Sequence, residues 1–438
     1  MKRSDFIKNA GLATAGITIL NFPLFGKYAA SNKITVAVMG LNGRGAYLAE
    51  NFSMLPNTEV AYLCDVEDGA IAKGMKAFAN AARKPIVIKN IRDLVNKKDF
   101  DALVIAAPDH WHAPAAILGV THGKHVYVEK PCGHNPYEGE LLVQAMNKYP
   151  KQLIQMGNQR RSFPTLIEAA KQVQQGIIGN AYFAKAWYNN NRKSIGTGKK
   201  IPPPPTLDFE LWQGPAPRKD YKDNLVHYNW HWHWHWGTAE TCNNATHEVD
   251  CCRWFLNVNY PTKVTSAGGR YAFKDDWETP DTQTASFEFG NDKSITWEGR
   301  SCNNFPTEGT GRGFIIYGDK GTLVNYGNDD YKILDYDNKL VKEVKSSGGN
   351  SGGNTISASG DLDSFHFSNF VEAIRGNAKL TAPVTEGHKS VLLCHLANIA
   401  QRTGRTLHCN ALNGYILNDA DAMKLWKREY EKGWEPKL

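Results

Sequence analysis

The sequence predicts an α/β protein: a doubly wound parallel sheet, followed by an α+β part with an open, mostly antiparallel or mixed sheet. Three observations carry this. A β-branched run, a glycine turn, a helical pattern and a second strand with a late acid follow one another from Lys33 to Val66. Strand and helix patterns then keep alternating as far as Arg161. Beyond Arg161 short runs alternate apolar and polar residues with period two.

The elements follow in order. "KITVAVMG" (Lys33–Gly40) reads as a buried parallel strand. "GLNGRG" opens on its last glycine, and "AYLAENFSML" continues with helical spacing. Gly40 permits a tight turn and Gly45 a close helix–strand approach. Asn42 stands where the motif has its middle glycine, with Gly43 next to it; asparagine tolerates positive φ, so the turn is kept. Backbone N–H groups from Gly43 and Arg44 onward would receive a pyrophosphate at the helix start. "EVAYLCDV" (Glu59–Val66) is the second strand, and Asp65 near its end would accept from ribose hydroxyls. A carboxylate there repels a 2′-phosphate, which favours NAD over NADP.

"KPIVIKN" (Lys84–Asn90), "DALVIAAP" (Asp101–Pro108), "HVYVEKP" (His125–Pro131) and "KQLIQMGNQRR" (Lys151–Arg161) complete the strands. "IRDLVNKKDF" and "WHAPAAILGVTHG" are the helices between them. Sheets of this kind bind ligands beyond the carboxyl ends of their strands. Asp65, Pro108–His112, Glu129–Pro131 and Gly157–Arg161 all fall there, so Pro108, His112, Glu129, Lys130, Asn158 and Arg160 join the candidate site.

With these motifs in place, the chain resembles the Gfo/Idh/MocA family of glucose–fructose oxidoreductase, inositol dehydrogenase and relatives. The resemblance runs over nearly all of the chain after residue 33. It implies that the lysine of "EKP", Lys130, sits by the nicotinamide and the reacting hydroxyl, with Glu129 and Pro131 orienting it. The Lys130–Pro131 bond is often cis in the family. The resemblance also implies an open C-terminal sheet face covered by another subunit, as a homodimer or homotetramer.

After Arg161, "FPTLIEAAKQVQQGIIG" reads as a helix and "NAYFAKAWYNNNR" as a strand. "KKIPPPPTLDFELWQGPAPRKDY" reads as a Pro-rich surface arm. "KVTSAGGRYAF", "TQTASFEFG", "KSITWEGRS", "FIIYGDKGTLVNYG" and "DYKILDY" alternate like strands. Ser346–Asp361 is a Gly/Ser loop, and "SFHFSNFVEAIRGN" and "TEGHKSVLLCHLANIAQRTG" are helices. In "NNATHEVDCCRWF", His247, Asp250 and Trp254 share a helical face. The family motif here is D-x-G-x-H-x-x-D. His247 and Asp250 match it, while Asn243 and Ala245 replace its first Asp and its Gly. The resemblance implies that His247 contacts the substrate hydroxyl and shares acid–base duty with Lys130. Asn243 and Asp250 are expected to contact the substrate, and Asn243 binds a hydroxyl but takes no proton. Which of Lys130 and His247 is the base stays open.

The expected organisation is a targeting segment over 1–32, an NAD-binding domain over 33–160, and a substrate-binding and oligomerisation domain over 161–438. Residues 1–32 supply Lys2, Arg3, Lys8 and Lys27 against Asp5, or +3 of the formal +7, leaving a mild +4. With no dense basic cluster, nucleic acid is not expected as a partner. "RSDFIK" resembles a twin-arginine export signal with Ser4 in place of the second arginine, which predicts a periplasmic or otherwise exported protein. An ordinary N-terminal helix, and a cytoplasmic protein, is the alternative. No later stretch is long and apolar enough to span a bilayer. Eight cysteines without a C-x-x-C pair do not make a zinc site, and a disulfide stays open for an exported chain.

Three functions fit. The first is an NAD-dependent oxidoreductase acting on a secondary hydroxyl of a sugar or glycoside, such as C3. The second is an NAD-dependent hydrolase or lyase, oxidising C3 transiently and eliminating the aglycone, on the resemblance to NAD-dependent N-acetylgalactosaminidases. The third is a sugar-binding protein without catalysis, against which Lys130 and His247 both stand. "NWHWHWHWGT" (residues 229–238) is the remaining oddity. As a strand it would put His231, His233 and His235 on one face and four tryptophans on the other. H-x-H on a strand can chelate zinc, but the family implies no metal, and none is expected. A wall of the sugar pocket, with His231 and His235 as contacts, or plain packing are the other readings.

Overall fold

The structure, a computed structural model, describes residues 33–345 and 362–438. The 1–32 segment and the Ser346–Asp361 loop lie outside the described residues.

Six parallel strands form the first sheet: β1 (Ile34–Met39), β2 (Thr58–Cys64), β3 (Ile86–Ile88), β4 (Ala102–Ile105), β5 (His125–Val128) and β6 (Ile154–Met156), in the order β3-β2-β1-β4-β5-β6. The order reverses between β1 and β4, which opens a crevice at their carboxyl ends. Four apolar residues in a row make β4 buried on both faces. Such continuous runs are what a sheet covered on both sides requires.

The second sheet has nine strands: β7 (Ala181–Asn189), β8 (Lys263–Gly269), β9 (Thr282–Phe289), β10 (Lys293–Arg300), β11 (Arg312–Gly318), β12 (Gly321–Asn325), β13 (Tyr331–Asp335), β14 (Leu340–Val344) and β15 (Leu407–His408). Their order is β14-β13-β12-β11-β7-β10-β9-β8-β15. Only the β7–β10 pair is parallel, so the sheet is mixed and it stays open. Along β9 the burial alternates, with Ala285, Phe287 and Phe289 inside and Thr284 and Glu288 exposed. Helices Pro164–Gln174, Thr246–Leu256 and Val384–Thr403 cover the apolar face, where Val249, Phe255 and Leu393 meet Ala184, Ile295 and Phe314.

The C-terminal helices also complete the first sheet. Phe367 and Phe370, on helix Asp363–Ile374, share one buried cluster with Val36, Phe52 and Tyr127. The Phe52 and Phe367 rings lie 5.2 Å apart. Val384 and Val391 join the cluster on the other side of that sheet, which Trp434 and Leu438 abut.

The Pro-rich segment departs from the surface arm expected. Its second half folds into the short helix Phe209–Gln213, and Phe209, Trp212 and Tyr221 form a small core of their own. The segment is tied across the end of β2: Asp68 N–H donates to Thr206 O at 3.1 Å, and Asp208 N–H to Val66 O at 3.0 Å. Apolar residues at 207, 209 and 212 need burial, and the nearest apolar surface is the rim of the first sheet. Among the described residues every cysteine is a free thiol, and no helix is long and apolar enough to cross a membrane.

Candidate active site

A cleft of about 460 Å³ lies at the carboxyl ends of β1, β2, β4 and β5. One wall is the glycine turn. Gly40 has φ +85°, and a Cβ there would lie 2.5 Å from the Ala107 nitrogen. A Cβ on Gly45 would collide with the Gly40 carbonyl oxygen, so Gly45 sits beneath the turn rather than on the cleft wall. Asn42 does not take the positive φ expected of it; Gly40 alone makes the turn, and the Asn42 side chain accepts from Lys73 Nζ. Helix Arg44–Met54 starts at Gly43 with no side-chain cap and no acid in its first turn. Its N-terminal N–H groups and the positive end of its dipole therefore stay available to an anion.

Asp65 follows β2 at the far end of the cleft. Its Oδ2 accepts from Leu41 N–H at 2.6 Å, and its Oδ1 from Val66 and Glu67 N–H at 2.7 and 3.0 Å. Burial pushes its carboxyl up while these N–H groups pull it back. A carboxylate has about four acceptor positions, so room remains for a hydroxyl.

The opposite end gathers the turns after β4, β5 and β6. The ring nitrogens of His112 lie 2.6 Å from Pro131 O and 2.7 Å from Ala107 O, which ties the first two turns together. The Lys130–Pro131 bond is cis. Glu129 is buried and accepts from Arg44 Nε at 2.8 Å and Gln159 Nε2 at 3.3 Å. Arg44 also donates to Asp363 at 2.8 Å, so its charge is balanced. Lys130 Nζ donates to the backbone oxygen of Asn243 at 2.7 Å and to its side-chain Oδ1 at 2.9 Å. Burial lowers the Lys130 ammonium from its ordinary value, opposed by Glu129 and Asp109.

A single π-turn, Thr241–Ala245, precedes helix Thr246–Leu256 and brings both Asn243 oxygens to Lys130. Glu240 fixes the amide: its Oε1 accepts from Asn243 Nδ2 at 3.1 Å, while Arg192 Nε donates to its Oε2 at 2.6 Å. His247, one turn on, lines the cleft and has no hydrogen-bond partner among the described residues. Burial, then Arg312, Lys130 and Arg160, hold its imidazole well below the usual histidine range. It is neutral at pH 7.

Gly40, Asn42, Gly43, Arg44, Asp65, Pro108, His112, Glu129, Lys130, Arg160, His231, Asn243 and His247 all line this one cleft. Four candidates do not: Gly45, beneath the turn, and three others. Asp250 turns away: Arg161 donates to it through Nε and Nη2 at 2.8–3.0 Å, and Ser390 Oγ at 2.6 Å, so the carboxylate is a buried ion-pair partner. Asn158 is buried behind the wall, in the bend between β6 and the next turn. His235 Nε2 lies 2.7 Å from Pro217 O, outside the cleft.

The His–Trp stretch is not a strand. Asn229–Trp232 is a 3₁₀ turn followed by further turns, so its faces do not alternate. His231 Nδ1 bonds to Tyr228 O at 2.7 Å, His233 Nδ1 faces Glu278 and His235 faces Pro217. The three rings therefore have three separate partners. Trp232 stacks on Trp277 at 4.0 Å and Trp236 meets Trp212 at 5.6 Å. Only Trp230 and His231 reach the cleft. Gln159, Trp212, Tyr228, Arg312 and Asp363 also line it, and sequence reading singled out none of them.

Two family models match this chain. The NAD-binding Rossmann-fold model of the Gfo/Idh/MocA oxidoreductases covers residues 34–157, and the family's C-terminal alpha/beta model covers 207–408. The chain belongs to the Gfo/Idh/MocA oxidoreductase family. Its first sheet is thus an NAD-binding Rossmann domain, and the capless helix start, the Gly40 cradle and Asp65 fit that cofactor. Among curated relatives, a glycosyl hydrolase family 109 protein of Shewanella sp. (strain MR-4) is 29% identical over 209 residues. That match covers 42% of this chain and 45% of the relative, so the chain spans about half the length of the curated relatives it matches. A second protein so named, from Solibacter usitatus, is 28% identical over 207 residues, 44% of this chain and 47% of its own. Among solved structures, scyllo-inositol dehydrogenase from Lactobacillus casei with NAD(H) and scyllo-inositol has a TM-score of 0.62 at 18% identity, covering 86% of this chain and 99% of that one. The WlbA dehydrogenase of Chromobacterium violaceum, in complex with NADH and UDP-GlcNAcA, has a TM-score of 0.64 at 18% identity, covering 86% and 96%. At such identity these structures share the fold.

Proposed function

We propose that this oxidoreductase acts on a secondary hydroxyl of a sugar or glycoside, with His247 and Lys130 flanking the reacting carbon. The observation that carries the reading is a neutral, unpartnered imidazole in the same cleft as a lysine ammonium held by two oxygens. NAD, when bound, supplies the hydride acceptor. The N–H groups from Gly43 and Arg44 onward would hold its pyrophosphate and Asp65 its adenosine ribose. His247 takes the hydroxyl proton, since among the described residues its ring nitrogens meet no donor or acceptor. Lys130 stays a cation through its two Asn243 acceptors and stabilises the developing alkoxide. Arg160 and Asn243 contact the sugar hydroxyls. The protein sets these groups in a partly closed cleft, where charges act more strongly than in water.

One observation favours the redox-neutral hydrolase or lyase. Leu211, Trp212, Tyr228, Trp230 and His231 roof the cleft from the second half of the chain, which would hold a cofactor in place through many turnovers. Burial, helped by Lys130 and Arg192, keeps His231 neutral. With Nδ1 bonded to Tyr228 O, its Nε2 lone pair would serve as the second base that an elimination needs.

The test is a single turnover of the holoenzyme with nitrophenyl glycosides. Net reduced nicotinamide absorbance supports the dehydrogenase, and aglycone release without it the hydrolase or lyase. Lys130→Ala should lower kcat by about 10²- to 10⁴-fold; an unchanged rate sinks the assignment. Export through residues 1–32 and assembly through the open sheet face belong to the same proposal. Cell fractionation and light scattering check them.

A further inference from the structure

Two arginines at the sugar end of the cleft share a single carboxylate oxygen. Arg160, from the turn after β6, places Nη2 2.9 Å from Glu248 Oε1 and donates to Gly327 O at 2.7 Å. Arg312, at the start of β11, donates from Nε to the same Glu248 Oε1 at 2.9 Å. Glu248 directly follows His247 and is fully buried. Among the described residues its second oxygen, Oε2, has no hydrogen-bond partner, and neither has Arg160 Nη1 nor Arg312 Nη2, although all three atoms are buried. Both arginines line the cleft.

This differs from a self-contained ion pair. A guanidinium and a carboxylate satisfy one another best through two parallel bonds. Here two guanidinium groups crowd one oxygen, leaving one positive charge in excess and forked donors unmatched. The groups nearby offset it only in part: Glu240 acts on Arg312 but is bonded to Arg192, and Asp330 acts on Arg160 from outside the cleft. Arg44 is already balanced by Glu129 and Asp363, and Lys130 adds a further cation. Asp329 and Asp330, on the loop that supplies Gly327, line no part of the cleft, and Asp329 accepts from Thr165 instead. Arg312, Lys130, Arg160 and Arg44 all disfavour a charge on the His247 imidazole. A buried, under-compensated arginine pair beside a substrate cleft is the recognition chemistry of an oxyanion.

We propose that the sugar taken by this site carries an oxyanion substituent, a uronic acid carboxylate or a sulfate ester, seated against Arg160 and Arg312. The proposal rests on the reading of the cleft as a sugar site. It narrows that reading from sugars in general to acidic ones.

Binding to the NAD-loaded protein, by calorimetry without turnover, is the test. Methyl β-D-glucuronide and D-glucose 6-sulfate are compared with methyl β-D-glucoside. The acidic ligand should bind at least about tenfold tighter, since charge-assisted hydrogen bonds of this kind are worth about one such factor or more. Which acidic ligand wins identifies the carboxylate or the sulfate. The advantage should shrink with added salt, and Arg312→Met should bring the acidic-to-neutral ratio close to one. Arg312→Lys, which keeps a charge for Glu248 and guards against misfolding, should leave an intermediate ratio. Equal binding of acidic and neutral ligands, or a ratio unmoved in Arg312→Met, overturns the proposal. Because no product is measured, the result stands apart from the turnover assay. Turnover confined to neutral glycosides would overturn this inference and leave the sugar oxidoreductase in place.

Discussion

The Lys130 ammonium is bracketed by one residue, Asn243, whose backbone and side-chain oxygens lie 2.7 and 2.9 Å from Nζ. The Asn243 amide is in turn fixed by Glu240, which accepts from Nδ2 at 3.1 Å. An aspartate at 243, as in the family motif, would set a second buried carboxylate against Glu240. Asn243→Asp should therefore lose about 1–3 kcal/mol at pH 7. Two carboxylates in contact raise the folded-state value of one, so the penalty is present above it and eases as pH falls towards it. Denaturant unfolding at pH 7 and pH 5 checks this: the deficit should be smaller at pH 5.

Two groups set the pH range of activity. The proposed base, His247, is held well below the usual histidine range by burial and nearby cations, so it stays deprotonated and competent at the ordinary histidine value. Lys130 is lowered by burial and must stay protonated. The kcat/KM profile should lack an acidic limb at the ordinary histidine value of about 6.5 and fall on the alkaline side earlier than the ordinary lysine value of about 10.4. An acidic limb centred near pH 6.5 would contradict the His247 assignment.

Gly40→Ala places a side chain at φ +85° and 2.5 Å from the Ala107 nitrogen. Left-handed backbone alone costs about 1–2 kcal/mol for a residue with a Cβ. The variant should melt several degrees lower and lose NAD retention in equilibrium dialysis. Gly123→Ala has open space at its Cβ and is the control for φ strain without a clash.

Buried histidines make the fold sensitive to acid. His366, His388 and His395 are each pushed down to about 4 by burial. Unfolded, they take up protons near pH 6.5, whereas folded they resist until about pH 4. Stability should thus fall as pH drops through that window, by up to roughly 4 kcal/mol per pH unit for the three together. Chemical unfolding at pH 7, 6 and 5 measures it. A flat series would show that these rings protonate in place.

The first sheet was legible because parallel strands are continuous apolar runs, and because each run ends on a motif that only a strand's carboxyl end explains. Gly40, Asp65, Pro108 and Lys130 share that logic and came together in one cleft. The His–Trp stretch misled because large residues alternating with imidazoles imitate a period-two strand. Its imidazoles instead bond to local carbonyls, His231 to Tyr228 O and His235 to Pro217 O, which supports turns. Asp250 was misassigned because a helical face says nothing of which partner waits there, and Arg161 claims it. Arg312 and Glu240 were illegible for a different reason. A single charged residue on a strand or helix becomes a site residue only through contacts far along the chain, 64 residues away for Arg312 with Glu248.

The docking of Phe367 and Phe370 against Phe52 and Tyr127 bears on how this chain is made. A ribosome delivers the first sheet more than 200 residues before the helix that seals it. Until Asp363–Ile374 emerges, the Phe52 and Tyr127 rings lack the cover of Phe367 and Phe370. The nascent sheet thus has to wait with an oily flank exposed, where strand edges and apolar surface invite aggregation. Truncating the gene after residue 160 would yield a polypeptide with that flank permanently bare. Expression of the NAD-binding portion by itself should therefore give inclusion bodies.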